Sequence, residues 1–366
     1  MASKARIVGG GRGRAAGGDK VAILGVGQMG LVCAGILAGV GSEGEGRGGT
    51  GAAGPEVVMW GHSADEVGAL AQTRRSPRLP GFVLPDSVRV TASGEEALAG
   101  ARMIVTAVPV QFTRSVWETL RAETPKGAAV VSVSKGIENG TLLRPLQVVA
   151  DALGERMGED RPMGVLSGPT IAAELARCLP ATMIAASEDP DLELRLQRLF
   201  TTSWLRIYTS EDVVGVEVAG AVKNVIAIAA GILDGLSAGF NAKSALLARG
   251  LAEIARLGVA MGARAETFFG IAGVGDLATS CFSPEGRNRS CGEALGKGEP
   301  LETYLKRTTS VVEGVATTRS VVDLARKLGV EMPIAEAVHA VLFEGMDPIE
   351  GIGRLMSREL KREVVG

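Results

Sequence analysis

Lys223 stands in VEVAGAVKNVIAIAAG, a run otherwise so apolar that an uncompensated ammonium there is strongly unfavourable. Desolvation or a second nearby cation lowers the pKa of such a lysine toward neutrality, so that it can exchange a proton with a substrate oxygen. A lysine that snorkels to the surface is the bland alternative. Lys135 ends an apolar run in VSVSKGIENG, at the carboxyl edge where open α/β sheets bind their ligands. Further on, GVGDLATSC and EGRNRS gather Asp276, Thr279, Ser280, Arg287, Asn288 and Arg289. Those residues supply donors for a phosphate and a carboxylate to orient them.

At the other end of the chain, VAILGVGQMG places Gly25, Gly27 and Gly30 after an apolar strand and before the helical run LVCAGILAG. That is the context a dinucleotide fingerprint requires. Gly25 permits the tight turn, Gly27 lets the backbone approach a pyrophosphate, and Gly30 allows close helix packing. The helix N-terminus adds free N–H groups and the positive end of its dipole. The next strand runs out as Trp60, Gly61, His62, Ser63, with no carboxylate to repel a 2′-phosphate. With His62, Ser63 and Arg74 or Arg75 as donors, the sequence predicts that NADPH is accepted.

The elements that must hold these residues fall into two groups. VAILGVG, EVVMWG, VRVT, MIVTAVP, AAVVSVSKG, MGVLSGP, ATMIAAS and WLRIYTS alternate with helical patterns, as in a parallel α/β sheet. After Ser210 the spacing is helical, for example Leu247, Leu251, Ile254 and Met261 behind an expected Asn241 N-cap. The expectation is a flexible tail over 1–20, a dinucleotide-binding Rossmann domain of about eight strands over 21–210, and an all-α substrate domain over 211–366. The glycine-rich stretch 39–54 reads as a surface insertion in the first βαβ unit. Glu217, Lys223, Asn224 and Asp234 interrupt the apolar stretch 213–240, which argues for a buried helix rather than membrane insertion.

A formal net charge of -2 gives no general attraction to nucleic acid or acidic lipid. Four cysteines (Cys33, Cys178, Cys281, Cys291) without a CxxC pair, and two histidines, give no pattern for a metal; buried free thiols are expected. The N-terminus carries Lys4, Arg6, Arg12 and Arg14 but no apolar h-region. It reads as a cytoplasmic tail, an organellar transit peptide being the alternative.

Taken in order, GVGQMG, RLPGFVLP, VPVQF, SKGIENGTL, LSGPTIAAE, EVAGAVKNVIAIAAGILDGL, NAKSALLARGLAEI, GVGDLATSC, GRNRS and VVEGVATT resemble the NAD(P)-dependent glycerol-3-phosphate dehydrogenase family of the bacterial, plant and trypanosomatid type. The resemblance runs from Val21 to about Leu355. It implies a Rossmann domain followed by a helical one, a cleft between them, NAD(H) or NADP(H) as cofactor, and reversible reduction of dihydroxyacetone phosphate to sn-glycerol 3-phosphate. It implies Lys223 as general acid/base with Lys135 and Asp276 beside it. The substrate would also meet Gly168, Thr170, Gly286, Arg287 and Asn288. For the cofactor it implies Gly25, Gly27, Gln28, Met29, Gly30, His62, Lys135, Ala172, Arg287, Val311 and Glu313. A homodimer formed through the helical domain is a further implication.

Three positions depart from the family pattern: Ser280 for a commoner threonine, and Gly286 and Thr170 where serine is usual. The hydroxyl survives at Ser280 and Thr170, and at Gly286 the backbone N–H remains to serve a phosphate. The competing readings are a β-hydroxyacid or 6-phosphogluconate type dehydrogenase, which takes a carboxylate substrate, and a non-enzymatic NAD(P)H-binding redox sensor.

Overall fold

The computed structural model describes residues 19–41, 54–308, 310–359 and 362. The tail over 1–18, most of the glycine-rich stretch and the last residues lie outside it. Asp19 and Lys20, assigned to the tail, are part of the structured chain: Lys20 opens the first strand and its buried ammonium donates to Glu96 O and Ala99 O at 2.7 and 2.9 Å.

Strands β1 (Lys20–Leu24), β2 (Glu56–Trp60), β3 (Arg89–Thr91), β4 (Ala101–Thr106), β5 (Ala129–Ser132), β6 (Met163–Ser167), β7 (Ala181–Ser187) and β8 (Leu205–Ser210) form one sheet in the order 3-2-1-4-5-6-7-8. All eight apolar runs read from the sequence are strands of it. The order reverses between β1 and β4, the switch point at which doubly wound sheets bind ligands. The expected parallel pairing holds except between β6 and β7, which are antiparallel. Only the short helix α6 (Ala172–Ala176) lies in that connection, too little for a parallel crossover. The 11-residue α7 (Pro190–Phe200) returns the chain parallel to β8.

Alternate residues of the strands feed two cores. Val21, Ile23, Met59 and Val105 face α1 (Gln28–Leu37) and α7. Leu24, Val58, Ile104 and Val130 face α3 (Gly94–Leu98), α4 (Val110–Thr119) and α5 (Pro145–Leu153) in a core continuous with the helical half. The remaining helix of the sheet half is α2 (Ala64–Thr73).

The described residues after Ser210 are helical: α8 (Val213–Gly235), α9 (Gly239–Ala260), a 3-10 turn Ala265–Phe269, a π-helical turn Ile271–Gly275, α10 (Asp276–Phe282), α11 (Arg287–Gly296), α12 (Leu301–Arg307), α13 (Glu313–Leu328), α14 (Pro333–Phe343) and α15 (Pro348–Met356). Asn241 is not an N-cap; it lies inside α9, which starts two residues earlier after the left-handed turn at Ser237. Helix α8 is long and apolar enough to cross a membrane, yet most of it is buried inside the protein. Asp212 caps it through Gly215 N at 2.8 Å and also accepts from Arg264 N and Thr267 Oγ1. Of its polar interruptions, Glu217, Lys223 and Asp234 are held by charged partners, while the buried Asn224 Nδ2 has none among the described residues. Glu217 accepts from Leu146 N at 2.9 Å and pairs with Arg144, tying α8 to the start of α5. Lys223 and Asn224 belong to the site described below, and Asp234 pairs with Lys243 and Arg289 behind it.

Candidate active site

The π-helical turn over 271–275 delivers Asp276 to the first turn of α10, and its carboxylate is 1 % exposed. Oδ1 accepts from Lys223 Nζ at 2.6 Å and Oδ2 accepts from Lys135 Nζ at 2.7 Å. Lys223 also donates to Ser280 Oγ at 2.6 Å, and Lys135 donates to Gly168 O at 3.0 Å and to Thr170 Oγ1 at 3.4 Å. Six residues from four separate stretches of the sequence are therefore joined by direct hydrogen bonds. Burial lowers the Lys223 pKa to about 8; Asp276 opposes that shift and Lys135 adds to it. Both causes expected for a functional lysine operate, with desolvation the larger.

Lys135 reaches this point because its loop is pinned from two sides. Gln111 of α4 donates to Ile137 O at 2.8 Å and accepts from Asn139 N at 3.0 Å, while Ser320 of α13 donates to Ile137 O at 2.9 Å. Gly136, at φ +141°, allows the bend. Gly168 also has a positive φ, +130°, and packs against β7, which aims its carbonyl at Lys135.

Around the two lysines lie polar atoms that sequence reasoning did not assign. Asn224 Nδ2, Ser167 Oγ and Thr317 Oγ1 are buried without a hydrogen-bond partner among the described residues. Asn224 follows Lys223 on α8. A Cβ built on Gly220, one turn earlier, would sit 3.2 Å from Ser167 Oγ and 3.5 Å from Lys135 Cγ; one on Gly136 would sit 2.9 Å from Thr317 Oγ1. An unsatisfied buried polar group costs about 1–3 kcal/mol, which a polar ligand bound there would relieve. Asn224 carried a signal, an amide inside an apolar run; Ser167 and Thr317 carried none.

The start of α11 supplies the next group. Gly286 is its N-cap and makes no side-chain cap, so the first-turn N–H groups are open to an anion. Arg287 donates to Val311 O at 3.2 Å, and Asn288 Oδ1 accepts from Gly314 N at 2.9 Å. Glu313 opens α13. Desolvation raises its pKa, and Arg287, Lys135 and Lys223 pull it back, so its carboxyl shares their electrostatic environment. Arg289, read from sequence as a further donor of this loop, instead points back to Asp234 and Glu293.

The dinucleotide end matches its expected geometry. Gly25 has φ +114°, with the Ala107 carbonyl close to where a side chain would stand. A Cβ on Gly30 would overlap the Gly25 carbonyl oxygen, whereas one on Gly27 would meet nothing within 4 Å. Helix α1 has no side-chain cap and no acid in its first turn. That open glycine face, with uncapped N–H groups behind it, fits a pyrophosphate. Met29 packs on the sheet core, Ala172 is buried at the start of α6, and His62 is exposed after β2.

Two side chains there are otherwise engaged. Gln28 donates through its side chain to Arg78 O at 2.7 Å. Arg74, expected as a 2′-phosphate donor, folds onto the carbonyls of Leu84, Pro85 and Val88 and holds that loop; Arg75 is exposed. Elsewhere, a groove of about 1170 Å³ lined by Leu246, Val338, Ile352, Leu355 and their neighbours holds none of the expected site residues. Cys33, Cys281 and Cys291 are buried free thiols with pKa pushed up to about 12 by burial, whereas Cys178, expected to be buried, is only partly so.

Comparison with known proteins bears on both ends. Residues 20–193 match the family model described as NAD-dependent glycerol-3-phosphate dehydrogenase N-terminus, and residues 212–353 match its C-terminus counterpart. A glycerol-3-phosphate dehydrogenase [NAD(P)+] of Salinibacter ruber is 47% identical over 85% of this chain and 90% of its own length. One from Mycobacterium bovis is 43% identical over 94% and 98%. The crystal structure of glycerol-3-phosphate dehydrogenase from Coxiella burnetii superposes with a TM-score of 0.85 at 33% identity, covering 93% of this chain and 99% of that one. With both ends of the molecule matched, the chain belongs to the NAD-dependent glycerol-3-phosphate dehydrogenase family.

Proposed function

We propose that this NAD(P)-dependent oxidoreductase interconverts dihydroxyacetone phosphate and sn-glycerol 3-phosphate, with residues 21–210 holding the cofactor and residues 211–366 most of the substrate. The observation that carries the assignment of roles is the pair of lysines from the two halves of the chain meeting on one buried carboxylate. NAD(P)H, when bound, supplies the hydride to the C2 carbonyl.

In this reading the Lys223 ammonium donates a proton to the C2 oxygen as it takes on charge, and in the reverse direction the neutral amine removes it. Asp276 holds Lys223 in place and keeps its pKa from falling further. Lys135 donates toward the same oxygen, and the unpartnered amide of Asn224 is a second donor close by. Two ammonium groups on one carboxylate leave an excess of positive charge suited to a phosphorylated ketone. Gly286, Arg287 and Asn288 take the phosphate, and Gly168 and Thr170 line the opposite wall. Gly25, Gly27, Gln28, Met29, Gly30, His62, Lys135, Ala172, Arg287, Val311 and Glu313 line the cofactor's path, Gln28 and Met29 through their backbone. With no carboxylate ending β2, both NADH and NADPH are accepted. The family reading also carries a cytoplasmic location, a homodimer and a role in supplying glycerophospholipid precursors.

The test is oxidation of NADH and of NADPH by the purified protein, followed by absorbance, with dihydroxyacetone phosphate and with a panel of ketoacids that includes 3-oxoacids. Turnover is expected with the phosphorylated ketone and is expected to be lost in Lys223→Ala. Faster turnover of a ketoacid would assign the chain to the hydroxyacid reading instead.

A further inference from the structure

Asp234 sits eleven residues after Lys223 on α8, in the turn before α9, and takes two cations that the mechanism does not use. Lys243 Nζ of α9 lies 2.6 Å from its Oδ1, and Arg289 Nε of α11 lies 2.6 Å from its Oδ2. Both cations are largely buried, with side chains 7% and 14% exposed. The Arg289 contact is an ion pair rather than an aligned hydrogen bond, and Arg289 also reaches Glu293 at 3.4 Å. Lys243 lies 4.9 Å from the ring centroid of Phe282, the last residue of α10, which carries Asp276 and Ser280. One carboxylate thus links α8, α9 and α11 just behind the site, and Lys243 extends the link to α10.

The helices it links touch backbone to backbone. A Cβ on Gly231 of α8 would overlap Arg289 O, and one on Gly292 of α11 would overlap Ile228 O. Glycine contact allows the close approach but fixes neither the sliding nor the rotation of α11 along α8. A paired charge at the first turn of α11 does fix it. We infer that Asp234 is a positioning residue that sets the distance between the phosphate-holding start of α11 and Lys223, and so sets the preference for a phosphorylated over an unphosphorylated ketone. This rests on the reading of α11 as the phosphate site.

The experiment compares dihydroxyacetone phosphate with unphosphorylated dihydroxyacetone in the wild type, Asp234→Asn, Asp234→Glu and Arg289→Gln. Asp234→Asn is expected to raise KM for the phosphorylated substrate and lower the kcat/KM ratio of the two ketones by roughly ten- to hundredfold, the effect of misplacing a binding group by about an ångström. KM for NADPH and turnover of dihydroxyacetone at saturation are expected to stay close to wild type. Arg289→Gln, which leaves Asp234 with Lys243, should move the ratio in the same direction by less, and Asp234→Glu should restore much of it. An unchanged ratio, or equal losses on both ketones, overturns the proposal. Should Asp234→Asn not fold, Arg289→Gln decides it on the same ratio. A wild type that does not turn over dihydroxyacetone phosphate at all would instead overturn the functional reading beneath it.

Discussion

The two ends of the site are built by opposite means. Between Gly25 and Gly30 the backbone is the binding surface, and side chains are absent so that it can be reached. Around Asp276 the side chains are the binding surface, and glycines let α8 and α11 pack backbone to backbone so that they are held still. A surface of peptide N–H groups has no protonation state to tune. A cluster of two lysines and a carboxylate has little else. Changes at the first end should therefore act on cofactor binding and through space-filling, and changes at the second should act on turnover and its pH dependence.

The sharpest way to break this division is Lys223→Ala. Loss of a positioned general acid typically lowers turnover by about 10²–10⁴-fold, and that drop is expected in kcat for dihydroxyacetone phosphate reduction. The dissociation constant for NADPH, read by fluorescence titration, is expected to stay near wild type. A comparable loss in cofactor affinity would mean that the two ends are not separable.

Asp276→Asn tests what the carboxylate does for both lysines. Removing one partner of a buried pair typically costs about 3–5 kcal/mol, and a fall in stability toward that size is expected by chemical denaturation. The variant also removes the charge that raises the Lys223 pKa, so the fall in reductive kcat/KM with rising pH should begin at lower pH than in the wild type. An unmoved profile would show that the titrating group is not Lys223.

In the wild type the sign of the pH effect differs between directions. Reduction needs the ammonium, so its kcat/KM is expected to fall as pH rises through about 8; oxidation of glycerol 3-phosphate needs the free amine and should rise through the same range. Profiles that move together would place the titration elsewhere.

The same contrast decides what could be read in advance. The dinucleotide end is local, since its glycines, strand and helix are contiguous, and β1 and α1 follow from the order of VAILGVGQMG. All eight strands were legible for the same reason, as short apolar runs between helices. The reversal of β7 was not, because direction depends on how little helix the β6–β7 connection contains. The substrate cluster draws on 135, 168, 170, 223, 276 and 280, which no window contains together. Lys223 stood out because a charge in an apolar helix demands an explanation, and Asp234 and Asn224 were visible by the same criterion without a role. Arg74 and Arg289 misled: arginines beside a predicted ligand site look like donors, and only the folded chain shows that carbonyls or a carboxylate already hold them.

The smallest expected effect is also the cleanest test of the backbone end. Gly27 has φ −76°, which any residue adopts, and open space beyond it. Gly27→Ala should therefore change stability by no more than about 1 kcal/mol, with a gain expected from the lower entropy of the unfolded chain. The added methyl stands on the face read as the pyrophosphate seat, so KM for NADPH should rise by about tenfold with kcat for saturating substrate little changed. Gly30→Ala differs in kind. Its Cβ overlaps the Gly25 carbonyl, and overpacking of that sort costs about 1–3 kcal/mol, so that variant should lose stability as well as cofactor affinity. If Gly27→Ala instead lost stability and kept its KM, that glycine would be serving the turn, and the open face would have to be reassigned.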